Sequence, residues 1–253
     1  MRYFLELSYN GDPFHGWQRQ PNAISVQEVL ENSLSTLLRG KTAVVGAGRT
    51  DTGVHAKQIM AHFDHHDTLE NQDFVYKLNS ILPAEIAVHS IKKVKEESHA
   101  RFDAISRSYE YHLHLKKDPF LSKNSYYFRK SLDVDVMNEA AKLLLNYTNF
   151  KCFSKSKTDV KTYNCNITEA IWIKNQDQLV FKITANRFLR NMVRAIVGTL
   201  IEIGIHKLYV HDLIAIIKSE DRSRAGYSVP AHGLYLTSVN YPKEIYIDGR
   251  KQR

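Results

Sequence analysis

The chain has 253 residues, of which 43% are hydrophobic and 25% charged, close to the averages for globular proteins. This composition excludes collagen-like and largely disordered chains, and the length allows one large domain or two smaller ones. Lysine and arginine number 35 against 27 acidic residues, which gives a formal net charge of +8. Such a charge attracts polyanions, so a phosphate-rich partner and a merely basic protein both stay open.

The two cysteines, Cys152 and Cys165, are too few and too widely spaced for a zinc ribbon or a disulfide framework. We therefore expect reduced thiols in a cytoplasmic protein. An acidic residue interrupts the first apolar residues before a signal sequence can develop, and the most apolar stretch, 192–205, contains Arg194 and Glu202. We expect neither export nor a membrane span.

Hydrophobic periodicity predicts the elements of the first half of the chain. Ser25 and Glu28 have capping-box spacing at the start of a helical pattern, and Gly40 follows its last apolar residue. The predicted elements are a strand over 3–9, a helix over 25–40, a glycine-rich turn over 46–53, a strand around 59–63 and a helix over 74–82.

A second set of elements begins after residue 104, where strict alternation over 108–115 predicts a strand. Strands and helices occur in a similar order in both halves, which predicts an α+β fold with antiparallel sheets. The further predicted elements are a helix from Asp133 to Leu145, strands over 167–173 and 179–184, helices over 187–203 and 213–217, and a strand over 233–241.

The segment Gly-Ala-Gly-Arg-Thr-Asp-Thr-Gly-Val-His-Ala at 46–56 carries the most informative pattern. Its opening is similar to a dinucleotide fingerprint, but Asp51 takes the place of the third glycine, where its carboxylate would face a pyrophosphate. The segment instead offers an acid on a flexible backbone, with Arg49 and Gly53 two residues away on either side. Such a carboxylate suits a nucleophile, although Asp also serves simple turns.

A second cluster offers an alternative chemistry, because metal ligands crowd together over 62–67. On a strand, His62, Asp64 and His66 would face one way and His65 the other, and no distant Cys or Glu-x-x-His completes a site. We favour a solvated strand end that includes Asp67, and metal binding stays the alternative.

Residues 46–56 resemble the signature of the tRNA pseudouridine synthase A family. The resemblance spans nearly the whole chain, with two small departures, Thr52 where the family more often has Ala and Ser108 where a second Arg commonly precedes the Tyr. The other matching segments are Phe-His-Gly-Trp-Gln-Arg-Gln at 14–20, His-Ala-Arg-Phe at 99–102, Arg-Ser-Tyr-Glu-Tyr at 107–111, residues 188–198 and Gly-Leu-Tyr-Leu at 233–236.

This resemblance implies the pseudouridine synthase fold, in which two related α+β halves join their antiparallel sheets into one mixed central sheet flanked by helices. Residues 1–105 would carry the catalytic Asp loop, and residues 106–253 would complete the active-site cleft. The family implies a homodimer that binds tRNA and isomerises uridine to pseudouridine at positions 38, 39 and 40 of the anticodon stem-loop. It implies no cofactor and no metal.

The resemblance also assigns roles to single residues. Asp51 would be the nucleophile, which attacks either the ribose or the base. Arg49 would enter the RNA stem in place of the flipped uridine, since a planar cation can substitute for a base. Tyr109 would pack on the target uracil, and Arg194 would lie against the catalytic carboxylate. From the residues alone, a phosphate contact or a surface ion pair is the more ordinary role for Arg49, and a core position is the more ordinary one for Tyr109.

Further cations are candidates for phosphate binding, where only their sum matters. Arg101 belongs to this set, and the predicted helix over 187–203 places Arg187, Arg190 and Arg194 on one face. A solvated basic face is the plain alternative. The lysines of the set are Lys116, Lys117, Lys151, Lys155, Lys157 and Lys161.

A non-catalytic RNA-binding module is the alternative to an enzyme. The RNA-recognition fold normally carries aromatic pairs in an Arg/Lys-Gly-Phe/Tyr strand motif, which this sequence lacks. A carboxylate such as Asp51 repels phosphate, so its position in the 46–56 segment favours the enzyme.

Overall fold

The structure is a computed structural model that describes residues 1–69, 71–156 and 160–247. The chain divides into two compact units, Met1–Ile105 together with the segment from Leu236 onward, and Ser106–Tyr235. Residues 106–253 are predicted as one half, whereas the segment from Leu236 onward clusters with the first unit. Lys157 lies outside the described residues.

The first unit is built on strand β1 (Arg2–Tyr9), which pairs antiparallel with β3 (His55–Asp64) on one edge and with β4 (Ile86–Val94) on the other. The two-residue strand β2 (Val45–Gly46) adds antiparallel to β3. The predicted alternation of β1 is confirmed, and Phe4 on its opposite face is also fully buried, so this strand packs on both sides.

Two helices belong to the first unit, α1 (Val26–Leu37) and α2 (Asn71–Ile81). Ser25 caps α1 as predicted, because its hydroxyl accepts a hydrogen bond from the Glu28 N–H at 3.3 Å. Leu30 and Leu34 are fully buried and fix the inward face of that helix.

In the second unit the central strand is β8 (Gln178–Ala185), antiparallel to both β5 (Ser106–His114) and β7 (Ile167–Asn175). The short strand β6 (Tyr126–Tyr127) runs parallel to β5. The helices of this unit are α3 (Val134–Leu143), α4 (Met192–Gly204) and α5 (Val210–Ser219).

Strand β9 (Leu234–Asn240) carries the chain from the second unit back to the first. In the first unit the hydrogen-bonded strand order is β4-β1-β3-β9, with β2 on β3, and in the second it is β5-β8-β7, with β6 on β5. These strands, accompanied by the five α-helices of the described residues, confirm the α+β class. None of the helices in the described part of the chain is long and apolar enough to span a bilayer.

Two local predictions were incomplete. No strand was predicted over β4, where the register against β1 shifts between Glu6 and Leu7 and the side-chain alternation is therefore broken. The helix predicted from residue 187 begins only at Met192, because Asn191 adopts a left-handed φ of 68°. Arg187 and Arg190 precede the helix, so the prediction that they share a helical face with Arg194 was wrong.

Candidate active site

Asp51 opens a tight turn directly before β3. The Val54 N–H donates to the Asp51 carbonyl oxygen at 3.2 Å, and Gly53 has a φ of 76° at the third position of this turn. A positive φ at that position favours glycine, which explains the Asp-Thr-Gly-Val order. The Asp51 side chain is half-buried at the start of this turn.

The segment 14–20 supports the loop that precedes Asp51. The Trp17 N–H donates to the Thr50 carbonyl oxygen at 3.3 Å, and the Thr50 hydroxyl is hydrogen-bonded to the Tyr9 hydroxyl at 2.9 Å. A Cβ added to Gly46 would lie 2.4 Å from the Trp17 ring, so the buried indole requires glycine there. Hydrogen bonds from its backbone and from its side chains therefore both fix this loop.

The far side of the turn is fixed by Gly11 and His55. The Gly11 N–H donates to His55 Nδ1 at 3.0 Å, and His55 is buried. A Cβ on Gly11 would lie 2.1 Å from the Val54 carbonyl oxygen, which leaves no room for another residue. These contacts restrict the backbone movement available to Asp51, as a positioned nucleophile requires.

Arg49 is exposed, and a relay of side-chain amides directs it. Its Nε–H donates to Gln18 Oε1 at 3.1 Å, and Gln18 Nε2 donates to Gln27 Oε1 at 2.7 Å. Gln27, in α1, donates in turn to the Val44 carbonyl oxygen at 2.9 Å and to Glu31 Oε1 at 3.1 Å. Sequence reasoning missed Gln18 and Gln27, although Gln18 lies in the 14–20 segment.

Arg101, the other predicted cation of the first unit, lies exposed in a turn between β4 and β5. Its guanidinium carbon is 5.7 Å from the centroid of the neighbouring Phe102 ring. Asp51, Arg49 and Arg101 thus all belong to the first unit, whereas Tyr109 and Arg194 belong to the second.

Tyr109 lies in β5 opposite Ile183, and its side chain is half-buried. Its ring packs edge-on against Phe188, with centroids 5.1 Å apart and planes at 87°. This edge-to-face contact orients the phenol ring.

Arg194 lies in the first turn of α4, and the segment 226–229 holds it. Its Nε–H donates to the Val229 carbonyl oxygen at 2.7 Å, and the Val229 N–H donates back to the Arg194 carbonyl oxygen at 3.3 Å. The segment approaches α4 so closely that a Cβ on Gly198 would lie 1.8 Å from the Tyr227 carbonyl oxygen. The guanidinium plane is therefore set by backbone contacts.

The ligand-rich stretch 62–67 is divided by the end of β3 at Asp64. His62 is buried and accepts a hydrogen bond from the Ala100 N–H at 3.1 Å, and burial lowers its pKa to about 4. Asp64 accepts two bonds of 2.8 Å from Arg2. Because the strand ends at Asp64, His66 does not share a strand face with His62 and Asp64, and the stretch ends β3 as the favoured interpretation expected.

The remaining three side chains of this stretch do come together. The ligand atoms of His65, His66 and Asp67 lie within 4.8 Å of one another, with His66 and Asp67 exposed. Two imidazoles and one carboxylate are a donor set that suits a divalent cation. The same groups also contact one another directly, since Asp67 Oδ2 lies 3.6 Å from His65 Nε2 and 3.1 Å from His66 Nε2.

The fold and this site define an α+β protein that holds a carboxylate on a tight turn, beside an arginine ordered by amides. The family model described as tRNA pseudouridine synthase matches residues 7–103 and 140–242. The chain belongs to that family. Asp51, Arg49, Arg101 and Arg194 lie within the matched residues, and Tyr109 lies between the two matched blocks.

Similarity to individual relatives extends over almost the full length. The chain is 52% identical to a tRNA pseudouridine synthase A of Porphyromonas gingivalis, covering 97% of this chain and 99% of the relative. It is 49% identical to one of Bacteroides thetaiotaomicron, over 99% and 94% of the two chains. A Bacillus subtilis relative of the same description is 39% identical, over 95% and 99%.

Proposed function

We propose that this protein isomerises uridine to pseudouridine in tRNA, at positions 38, 39 and 40 of the anticodon stem-loop, with Asp51 as the nucleophile. The observation that carries the proposal is the placement of Asp51 at the head of a turn that glycines and buried aromatic residues hold rigid. Membership of the tRNA pseudouridine synthase family supports the choice of reaction and substrate.

The reaction exchanges one bond of the nucleotide for another. The bond from uracil N1 to ribose C1′ breaks, the base turns over, and C5 forms the new bond to C1′. C5 releases its proton and N1 gains one, so the product is an isomer of the substrate. A carboxylate attached for part of this path, to the ribose or to the base, prevents the reactive fragments from separating. The overall balance requires no electron transfer.

The other side chains assist this chemistry in the proposal. Arg49 fills the space left by the extruded uridine, Tyr109 packs on the uracil, and Arg194 supplies positive charge that keeps a carboxylate ionised. Arg101 binds a phosphate. The half at 1–105 supplies the nucleophile, and the half at 106–253 supplies Tyr109 and Arg194.

The setting of the enzyme also belongs to the proposal. We place it in the cytoplasm as a homodimer that binds tRNA across both subunits. Both cysteines are buried free thiols, and burial raises the pKa of Cys152 to about 12 and that of Cys165 to about 11. Cysteines that are free rather than paired in a disulfide are usual in a reducing compartment, which supports the cytoplasm.

Replacement of Asp51 by Asn tests the nucleophile, because it keeps the shape and removes the charge. We expect turnover to fall by at least about 10³-fold, while tRNA affinity is unchanged or higher because one repulsion of phosphate is gone. The measurement is release of tritium from tRNA labelled at uracil C5, beside the dissociation constant for the same tRNA.

Asp73→Asn is the matched control, since it removes one exposed carboxylate from α2 together with its contact to Lys77. It should retain wild-type turnover. Appreciable tritium release by Asp51→Asn would show that another group is the nucleophile. If the wild-type protein binds tRNA and releases no tritium, the chain is the non-catalytic RNA-binding module.

A further inference from the structure

The turn that carries Arg101 and Phe102 is closed by its own side chains. The His99 N–H donates to Asp103 Oδ2 at 2.8 Å, and the Asp103 N–H donates to the His99 carbonyl oxygen at 3.1 Å. Between these bonds, His99 Nδ1 lies 3.1 Å from the Arg101 N–H and 3.4 Å from the Phe102 N–H, and accepts from both. We call residues 99–103 the platform turn.

The middle of the platform turn is anchored in the core of the first unit. Ala100 is fully buried, its N–H donates to His62, and its carbonyl oxygen accepts from the Tyr241 hydroxyl. His62 and His99 pack edge to face with ring centroids 4.7 Å apart. Burial lowers the pKa of both imidazoles, which favours the neutral forms that can accept these bonds.

Phe102 projects from this anchored backbone into solvent. The residue is 73% exposed, although its ring lies 4.3 Å from the His99 ring and 5.7 Å from the Arg101 guanidinium carbon. A single exposed aromatic residue is ordinary on a protein surface. An exposed ring on a backbone fixed at both ends and in its middle is different, because little conformational entropy remains to be lost when a ligand packs on it.

The chemistry around Phe102 indicates which ligand would pack there. A flat apolar ring next to a cation matches an unpaired base together with its phosphate, and single-stranded RNA is bound by such aromatic rings and arginines. The net charge of +8 favours the same polyanionic partner.

We propose that Phe102 is a stacking platform for an unpaired nucleobase of the RNA substrate, beside the phosphate that Arg101 binds. This rests on the proposed function for the identity of the RNA. Phe102 is then a binding residue that sets the position of the anticodon loop relative to the stem from which the target uridine is extruded.

Three variants separate stacking from other roles of Phe102. Phe102→Ala removes the ring, Phe102→Leu keeps an apolar side chain without a flat face, and Phe102→Tyr keeps the face. Tyr76→Ala is the matched control, since Tyr76 is 74% exposed on α2 of the same unit. We expect Phe102→Ala to weaken binding of an anticodon stem-loop by about 5- to 150-fold, Phe102→Leu to weaken it similarly, and Phe102→Tyr to bind normally.

A cycle between protein and RNA identifies the stacked base. Anticodon stem-loops with one abasic loop nucleotide each are bound to wild-type protein and to Phe102→Ala. At one position the abasic change should weaken wild-type binding as much as Phe102→Ala does, and the two losses should not add. Because stacking is uncharged, Phe102→Ala should leave the salt dependence of binding unchanged, whereas Arg101→Ala should lower its slope by about one.

The stacking proposal would be overturned if, at every loop position, the loss of affinity from Phe102→Ala and the loss from the abasic change multiplied, to within about twofold. A Phe102→Ala protein whose sedimentation shifts to a smaller species would also overturn it, since the ring would then lie between two copies of the chain. Thermal unfolding of each variant excludes a general loss of fold. The binding cycle does not depend on turnover. The stacking proposal can therefore fail while tritium release by the wild-type protein supports the proposed function, and it can succeed while tritium release fails.

Discussion

At the scale of single residues, the direction of Arg49 depends on side chains that lie far from it in the sequence. The Gln18 amide holds its Nε, and Gln27 holds Gln18 against the Val44 carbonyl oxygen. In the proposed role, in which Arg49 takes the place of the extruded uridine, its guanidinium gains from such ordering before RNA binds. We therefore expect Gln18 to act as a positioning residue for Arg49.

Two substitutions test this relation. Arg49→Ala should slow single-turnover isomerisation most when the target uridine is paired in a stem, and least when it faces a mismatch, because extrusion from a pair costs more. Gln18→Ala should reproduce this pattern at a smaller amplitude, about 5- to 30-fold on paired stems. Arg49→Lys should rescue only in part, since an ammonium lacks the planar shape.

The matched control is Gln20→Ala, because Gln20 lies in the same segment and donates to the His15 carbonyl oxygen. It should leave the ratio of paired to mismatched rates unchanged. Equal losses on both stems for Arg49→Ala, with full rescue by Arg49→Lys, would reduce Arg49 to a phosphate contact.

At the scale of elements, α4 is held by a close approach of backbone at Gly198. A Cβ there would lie 1.8 Å from the Tyr227 carbonyl oxygen, and backbone cannot move aside as a flexible side chain can. Gly198→Ala should lower the free energy of unfolding by about 2–4 kcal/mol, measured by urea denaturation. Gly40→Ala, whose nearest neighbour would be 3.9 Å away, should change it by less than about 0.5 kcal/mol.

The same segment links stability to the proposed role of Arg194, because the Val229 carbonyl oxygen accepts a hydrogen bond from its guanidinium. Gly198→Ala should therefore also reduce turnover of the folded protein. Equal unfolding free energies for Gly198→Ala and Gly40→Ala would mean that the segment 226–229 moves away from the added methyl group without loss of stability.

Most elements could be predicted because their residues repeat with one simple period. The alternation over β1 and β5 and the Ser25 and Asp133 caps needed only local sequence, and the structure has all four. Strand β4 escaped because it carries one extra residue, His89, opposite the step from Glu6 to Leu7, and this bulge disturbs its alternation. The start of α4 escaped because Asn191 is tolerated in a left-handed conformation without any sequence signal that requires it.

The candidate site likewise has residues that local sequence predicts and contacts that it does not. Asp51 and Arg49 could be named from a contiguous segment, whereas the Gln18–Gln27 relay depends on contacts between residues up to 31 positions apart. The platform turn is a similar case, since its anchor His62 is 38 positions from Ala100. Contacts of this range follow from the packing of β3 and α1, which no local pattern encodes.

At the scale of the whole molecule, buried histidines tie stability to pH. His62 is only 5% exposed, and burial, aided by repulsion from Arg2, lowers its pKa from 6.5 to about 4. Between pH 6.5 and pH 4, His62 is therefore protonated in the unfolded chain but neutral in the folded protein. The stabilisation is complete above pH 6.5 and is lost as the pH falls toward 4.

From this shift we expect His62 alone to lower the free energy of unfolding by about 2 kcal/mol between pH 7 and pH 5. Urea denaturation at the two pH values measures it. His62→Gln keeps an acceptor for the Ala100 N–H and cannot be protonated, so its unfolding free energy should depend less on pH by that amount.

His89→Gln, at an exposed histidine bonded to Ser8, is the control and should retain the wild-type difference in unfolding free energy between the two pH values. An unchanged pH dependence in His62→Gln would contradict the assignment.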